Sequence, residues 1–282
     1  MREYSPLYGA SIHFFLGPKQ FLLQEGWCLS ADWGLSVPLP FDKNRNAKSI
    51  KNKSMNKTIG IVVAMEKEMR LLPDILTDKE RIDAPSFHAV VGMVGDNKVI
   101  YALSGIGKVA AAVCAAELIR RYSPDFLINV GVSGGMGDAV ELLDTVVSTA
   151  VCYHDVSCGC DVAWGQVQGF PLYYPVSDGL LTIIRSLPVP VREGLVCCGD
   201  RFLSSSEEQD FVRRTFPDIK AVDMESAAVA QTAYIYDTPF IAMRVISDIA
   251  GEGHDNYAEY MAFWRTASPS TFAVLESLLK AI

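Results

Sequence analysis

The sequence predicts an α/β protein, a helix-flanked sandwich around a mostly parallel or mixed β-sheet. Three observations point there. Six short apolar runs rich in β-branched residues, each bounded by Gly, Pro or Asp, recur between residues 58 and 247 and suit strands buried on both faces. Longer stretches with helical spacing separate several of them. Strands alternating with helices bury both kinds of element when the helices cover the two faces of one sheet.

In chain order, residues 58–65 (TIGIVVAM) and 98–105 (KVIYALSG) read as the first two strands, and 108–122 (KVAAAVCAAELIRRY) as the first long helix. Residues 125–132 (DFLINVGV), 145–154 (TVVSTAVCYH) and 193–200 (EGLVCCGD) are three further strands. Helices follow at 207–216 (EEQDFVRRTF) and 225–236 (ESAAVAQTAYIY), then a strand at 239–247 (PFIAMRVIS) and a closing helix over the final SPSTFAVLESLLKAI. Ahead of this pattern, residues 1–40 show no helical or alternating period, and 42–57 (DKNRNAKSIKNKSMNK) are polar and basic with nothing to bury. Residues 1–54 therefore read as an N-terminal extension, poorly ordered or not native, and 55–282 as one domain.

Composition narrows the function. The chain has 282 residues, half of them hydrophobic, and a formal net charge of −8 that opposes any phosphate backbone, so small neutral or cationic ligands are the expected partners, not nucleic acid. No apolar run reaches the ~18 residues that span a bilayer. Seven cysteines, an odd count with Cys197 and Cys198 adjacent, suit reduced thiols in the cytosol. The segment CYHDVSCGC offers His154, Asp155, Cys158 and Cys160, but its Cys-x-Cys spacing is a poor zinc signature, and no metal is expected.

Ligands of α/β sheets sit beyond the carboxyl ends of the strands. Glu68 follows the first strand, the glycine-rich GVSGG the third, Asp200 ends the fifth and Asp248 follows the sixth. Glu225 joins this rim because the segment it opens leads into the last strand. Glu66 reads instead as a solvated acid at a helix start. SGIGKVAAA carries a G-x-G-x-x-A spacing, but no acid ends the next strand to hold a ribose hydroxyl, so a tight turn against a closely packed helix is the better reading.

These segments in order, IGIVVAMEKEM, SGIGKVAAA, INVGVSGG, YHD with GQVQGFP, GDRFL, AVDMESAAVA and RVISD, resemble the nucleoside phosphorylase and hydrolase superfamily. Within it they are most similar to the 5'-methylthioadenosine/S-adenosylhomocysteine nucleosidases. The resemblance covers residues from about 58 to 282 and implies a three-layer αβα sandwich, hydrolysis of an adenine nucleoside without a cofactor, and a homodimer. It implies that Glu68 activates water, Asp248 protonates the purine at N7 and Glu225 grips the ribose hydroxyls. Met224 would pack on the sugar, Phe202 would stack on adenine, and the Leu203 backbone would contact the base. Ile106 and Gly134 would line the pocket, Tyr257 would close the 5' side, and Ser247 belongs to the same binding set. Three departures stand out: Val132 replaces a serine that steadies the catalytic aspartate, Asp223 replaces a more usual glutamate, and Gln168 stands where a proline is common. A futalosine-type hydrolase and a phosphate-dependent phosphorylase are the alternatives, the second disfavoured because a carboxylate at Glu68 repels phosphate.

Overall fold

A computed structural model describes residues 56–136, 140–159, 161–251 and 255–282. The extension assigned to residues 1–54 lies outside them, as does Cys160. The elements are β1 (Thr58–Val63), α1 (Glu66–Met69), β2 (Thr77–Ala84), β3 (Phe87–Val94), β4 (Asn97–Leu103), α2 (Lys108–Tyr122), β5 (Phe126–Gly135), β6 (Thr145–Tyr153), β7 (Tyr174–Pro175), α3 (Asp178–Ser186), β8 (Arg192–Cys198), α4 (Ser206–Thr215), β9 (Ile219–Asp223), α5 (Ser226–Ile235), β10 (Phe240–Ile249), α6 (Asn256–Thr266), a 3₁₀ turn (Pro269–Phe272) and α7 (Ala273–Ala281).

All six expected strands form, within one mixed sheet. β1 lies between β4 and β5, parallel to both, and β5 runs parallel to β10. β6, β8 and β9 are mutually parallel neighbours, but β6 meets β10 antiparallel. A short antiparallel pairing of Gly134 and Gly135 with Val222 and Ala221 joins β5 to β9, so β5, β10, β6, β8 and β9 close into a ring. β2 and β3 extend the other edge as an antiparallel meander with β4.

The strands explain the continuous apolar runs. In β1, Ile59, Ile61 and Val63 face one buried cluster with Leu180 and Ile184 of α3, Phe263 of α6 and Leu278 of α7. Val62 faces the other cluster, with Leu118 of α2 and Ala227, Ala230 and Ala233 of α5. Both faces are covered, and both sides of each central strand are therefore apolar. The alanines of α2 and α5 have a related cause: these two helices pack against each other on the same face of the sheet, where small side chains permit close approach.

Two expectations change. Residues 219–223, between the helices expected at 207–216 and 225–236, form a further strand, β9, so Glu225 reaches the rim from the end of its own strand. The closing helix is broken: Pro269 begins a separate 3₁₀ turn before α7.

Candidate active site

One cleft opens at the carboxyl ends of β1, β5, β9 and β10, with about 670 Å³ of space including its mouth. Three carboxylates enter it from separate strands: Glu68 after β1, Glu225 after β9 and Asp248 near the end of β10. All three are buried, Glu68 and Asp248 to 2 % exposure.

Glu68 turns back over the start of α1. Its Oε2 accepts from the Ala64 and Met65 amides at 3.1 and 2.9 Å, and its Oε1 from the Val132 amide at 2.8 Å. A carboxylate has about four acceptor sites, so one remains on Oε1 for a ligand or water. Gly131 makes this packing possible, because a Cβ there would stand 2.6 Å from Glu68 Oε1. Burial pushes the Glu68 carboxyl above the ordinary range, while the three amides and the Arg244 charge act the other way.

Asp248 sits at a β-bulge. The register of β10 on β5 slips between Ile246 and Asp248, leaving Ser247 as the extra residue. Ser247 Oγ lies 2.7 Å from Asp248 Oδ1 and 3.2 Å from the Ser133 carbonyl. Ser247 thus sets a hydroxyl against the aspartate although Val132 carries none. Burial raises the Asp248 carboxyl to about 6, against hydrogen bonds from Ser247 and Asn256 that lower it. A carboxyl so placed keeps its proton to higher pH than a free aspartate and can give it up to a base.

Glu225 precedes α5, and its Oε1 accepts from the Gly107 amide at 2.9 Å. Gly107 has φ of +95°, a conformation natural to glycine. The SGIG turn therefore holds Glu225 and leaves Oε2 free. Burial and the neighbouring Asp223 charge raise Glu225 to about 7. Asp223 also lines the cleft, but its oxygens are taken up by protein donors. Its Oδ2 accepts from Arg244 Nε at 2.7 Å, and its Oδ1 accepts from the Glu225 and Ser226 amides at 3.1 and 3.0 Å and from Ser226 Oγ at 2.9 Å. Arg244, 1 % exposed, also donates to the Asn129 and Met243 carbonyls at 2.9 and 3.0 Å and to Asn129 Oδ1. The acid left without a role by the sequence is the anchor that fixes the Glu225 turn to a buried cation.

The walls are completed by Ile106, Gly134, Met224, Phe202 and Leu203. Phe202 stands edge-on to Tyr257, with ring centres 6.3 Å apart, and near Tyr260 at 5.9 Å. Tyr260 lines the cleft itself, its hydroxyl 3.7 Å from Met65 Sδ, whereas Tyr257 is 61 % exposed at the mouth. Tyr260, Arg244 and Asn256 were not singled out from the sequence. The spacing of Tyr260 from Tyr257, nearly one helical turn, and an arginine inside the apolar run FIAMRVIS were the available signals. Asp200 does not belong to the cleft. It accepts from the Lys108 amide at 2.8 Å at the start of α2, while Lys108 Nζ bonds both Asp155 oxygens at 2.9 and 2.8 Å. Glu66 is exposed and paired with Arg70.

Residues 58–280 match the model of the phosphorylase superfamily. The nucleosidase for 5'-methylthioadenosine and S-adenosylhomocysteine from Oceanobacillus iheyensis is 34% identical over 230 residues, which is 80% of this chain and 100% of that protein. The chain belongs to the 5'-methylthioadenosine/S-adenosylhomocysteine nucleosidase family. The Neisseria meningitidis member of the family, solved in complex with methylthio-immucillin-A, has 34% identity and a TM-score of 0.75, covering 80% of this chain and 100% of that one. A Streptococcus pyogenes S-adenosylhomocysteine nucleosidase, in complex with 5-methylthiotubericidin, has 30% identity and a TM-score of 0.75, covering 81% and 98%. The futalosine hydrolase of Helicobacter pylori shares the fold at 24% identity and a TM-score of 0.75, covering 80% of this chain and 98% of that one. The mixed sheet and flanking helices are thus those of this nucleosidase family.

Proposed function

We propose that the protein hydrolyses the N-glycosidic bond of 5'-methylthioadenosine and S-adenosylhomocysteine, releasing adenine and the 5-substituted ribose. The observation that carries this reading is the pair Glu68 and Asp248, two buried carboxyls from different strand ends that share one cleft but have different partners. Asp248 faces donors that steady it after proton loss, so it suits general-acid attack at the purine N7 as the C1'–N9 electrons move into the base. Glu68 keeps one acceptor site open and takes the proton of the attacking water. The division of labour is that of an inverting glycosidase, where water sits between two separated carboxyl groups.

Glu225 Oε2, with the remaining lone pair of Oε1, suits two neighbouring ribose hydroxyls. Its negative charge favours the oxocarbenium-like sugar of the transition state. Phe202 offers an aromatic face to adenine, and Met224 packs beside the sugar. Phosphorolysis is disfavoured by Glu68 at the face where phosphate would attack; Arg201, at the rim, is paired with Glu208, and Arg244 is committed to Asp223. A homodimer fits this site, because Ile106, Val109 and Val113 leave exposed apolar surface beside the cleft for a second copy. A reducing cytosol, where such an enzyme clears by-products of S-adenosylmethionine use and feeds methionine salvage, suits the unbridged thiols of Cys152 and Cys197, 3.3 Å apart.

The test is release of the free base, adenine from 5'-methylthioadenosine, S-adenosylhomocysteine and 5'-deoxyadenosine and hypoxanthine from futalosine, in phosphate-free buffer. Turnover of the first two supports the proposal; release that needs added phosphate, or that occurs with futalosine alone, overturns it.

A further inference from the structure

Asp155 stands just beyond β6 and Asp200 just beyond β8, and the parallel register of these strands, Tyr153 against Cys198, brings the two acids together beside the first residue of α2. Asp155 Oδ2 accepts from the Asp200 amide at 2.9 Å and from Lys108 Nζ at 2.8 Å, and its Oδ1 accepts from the same Nζ at 2.9 Å. Asp200 Oδ1 in turn accepts from the Lys108 amide at 2.8 Å. The preceding amide, that of Gly107, donates to Glu225 Oε1 at 2.9 Å. Two consecutive amides thus hold two acids, one outside the cleft and one inside it. The Lys108 and Asp155 side chains are only 23 % and 18 % exposed, and the ammonium lies 5.3 Å from the centre of the Tyr153 ring, so this is not a pair loosened by solvent.

The SGIG turn needs such an anchor. Gly105 and Gly107 have φ of +89° and +95°, and neither contributes a side chain to fix the backbone. Ile106 between them is 59 % exposed. The turn is tied at its start by the Ser104 amide, which donates to the Val63 carbonyl at 2.8 Å. Its end, where the amide that meets Glu225 lies, is tied to the sheet through Lys108, Asp200 and Asp155. Asp223 fixes the Glu225 backbone by accepting from its amide at 3.1 Å, but the attitude of the Glu225 carboxylate depends on where the Gly107 amide stands.

We propose that Asp155, acting through Lys108 and Asp200, is a positioning residue for the ribose clamp: it fixes the end of the SGIG turn so that the Gly107 amide holds the Glu225 carboxylate toward the sugar hydroxyls. The inference rests on the nucleosidase reading. Asp155 touches no part of the substrate in this account, and its effect passes through Glu225. Its removal should therefore be felt in proportion to what Glu225 contributes, and a substrate that offers Glu225 fewer hydroxyls should suffer less.

The experiment measures kcat/KM for adenine release from 5'-methylthioadenosine and from its 2'-deoxy and 3'-deoxy forms by wild type, Asp155→Asn and Lys108→Met, with thermal unfolding of each. A deoxy form that is not turned over is read by its Ki as a competitor of 5'-methylthioadenosine. Lys108→Met breaks the same link from the other side and keeps an apolar stem beside Tyr153, so it decides the question where Asp155→Asn fails to fold. Misplacing a charged acceptor of hydrogen bonds predicts a fall in kcat/KM of roughly 10- to 100-fold on 5'-methylthioadenosine in both variants. On the deoxy forms the loss should be smaller by about threefold or more, so the preference of the enzyme for an intact ribose narrows. A kcat/KM on 5'-methylthioadenosine within threefold of wild type overturns the positioning role. So does an equal loss on ribose and deoxyribose substrates, which is what a purely structural tie between α2 and the sheet would produce. A wild type that releases no adenine from 5'-methylthioadenosine overturns the nucleosidase reading, and this inference with it.

Discussion

The replacement Asp223→Asn tests how the sugar-binding carboxylate is held. Asp223 uses both of its oxygens, one for Arg244 and the other for the Glu225 and Ser226 amides and the Ser226 hydroxyl. Asparagine has a single oxygen, so whichever way its amide turns, an NH₂ group meets one set of donors. The guanidinium of Arg244, 1 % exposed, loses its counter-charge. Removing one partner of a buried ion pair costs about 3–5 kcal/mol, because the remaining charge stays desolvated. At roughly 2–4 °C per kcal/mol for a domain of this size, the melting temperature should fall by about 6–20 °C. The substitution also removes the negative charge that helps lift Glu225 to about 7, so Glu225 should ionise at lower pH and the optimum of kcat/KM should move down. Urea unfolding and a pH–rate profile read the two effects separately. Stability within 1 kcal/mol of wild type would refute the anchoring role, and an optimum that stays or rises would refute the electrostatic link to Glu225.

Other consequences follow from the same contacts. Gly131→Ala should lower kcat by roughly 10²-fold, as the new Cβ displaces Glu68 from its amide donors; a kcat near wild type would contradict the close approach at that strand end. Glu225 and Asp248 hold raised values of about 7 and about 6 in the folded protein, against 4.5 and 3.8 for the free groups. Folding therefore favours their protonated forms; this stability is complete below the unfolded values and is lost as pH rises through about 6 to 7. Urea midpoints of the ligand-free protein should be higher at pH 5 than at pH 8, and Glu225→Gln should flatten the difference. Phe202→Ala should raise KM several-fold while altering kcat less, since the ring binds the base in ground and transition states alike; steady-state kinetics on 5'-methylthioadenosine decide this.

Much of this arrangement was legible in the sequence because it follows from local pattern. The run TIGIVVAM, apolar at every position after Thr58, marks a strand covered on both faces, and the helix over residues 108–122 coincides with α2. Glu68 and Asp248 stand out as acids directly beyond apolar strands, where burial must have a reason. What was not legible depends on partners distant in sequence. Asp223 became intelligible only through Arg244, which a strand running alongside β5 brings beneath it. The hydroxyl beside Asp248 comes from Ser247, which reaches the carboxyl through a register slip that no single-strand pattern records. Asp200 shows the opposite case: a strand-end acid by pattern, it caps α2 because Gly107 has no side chain to do so.

The central claim, that Asp248 serves the leaving group and Glu68 the water, is tested most directly by comparing two substrates in two variants. Asp248→Asn and Glu68→Gln are assayed on 5'-methylthioadenosine and on 4-nitrophenyl 5-methylthioriboside, whose leaving group departs as the stable 4-nitrophenolate anion without protonation. Asp248→Asn should lose at least ~10²-fold in kcat on the nucleoside yet stay within several-fold of wild type on the nitrophenyl substrate, while Glu68→Gln should lose activity on both. Equal impairment of Asp248→Asn on the two substrates, or near wild-type turnover by Glu68→Gln, would contradict this division of roles.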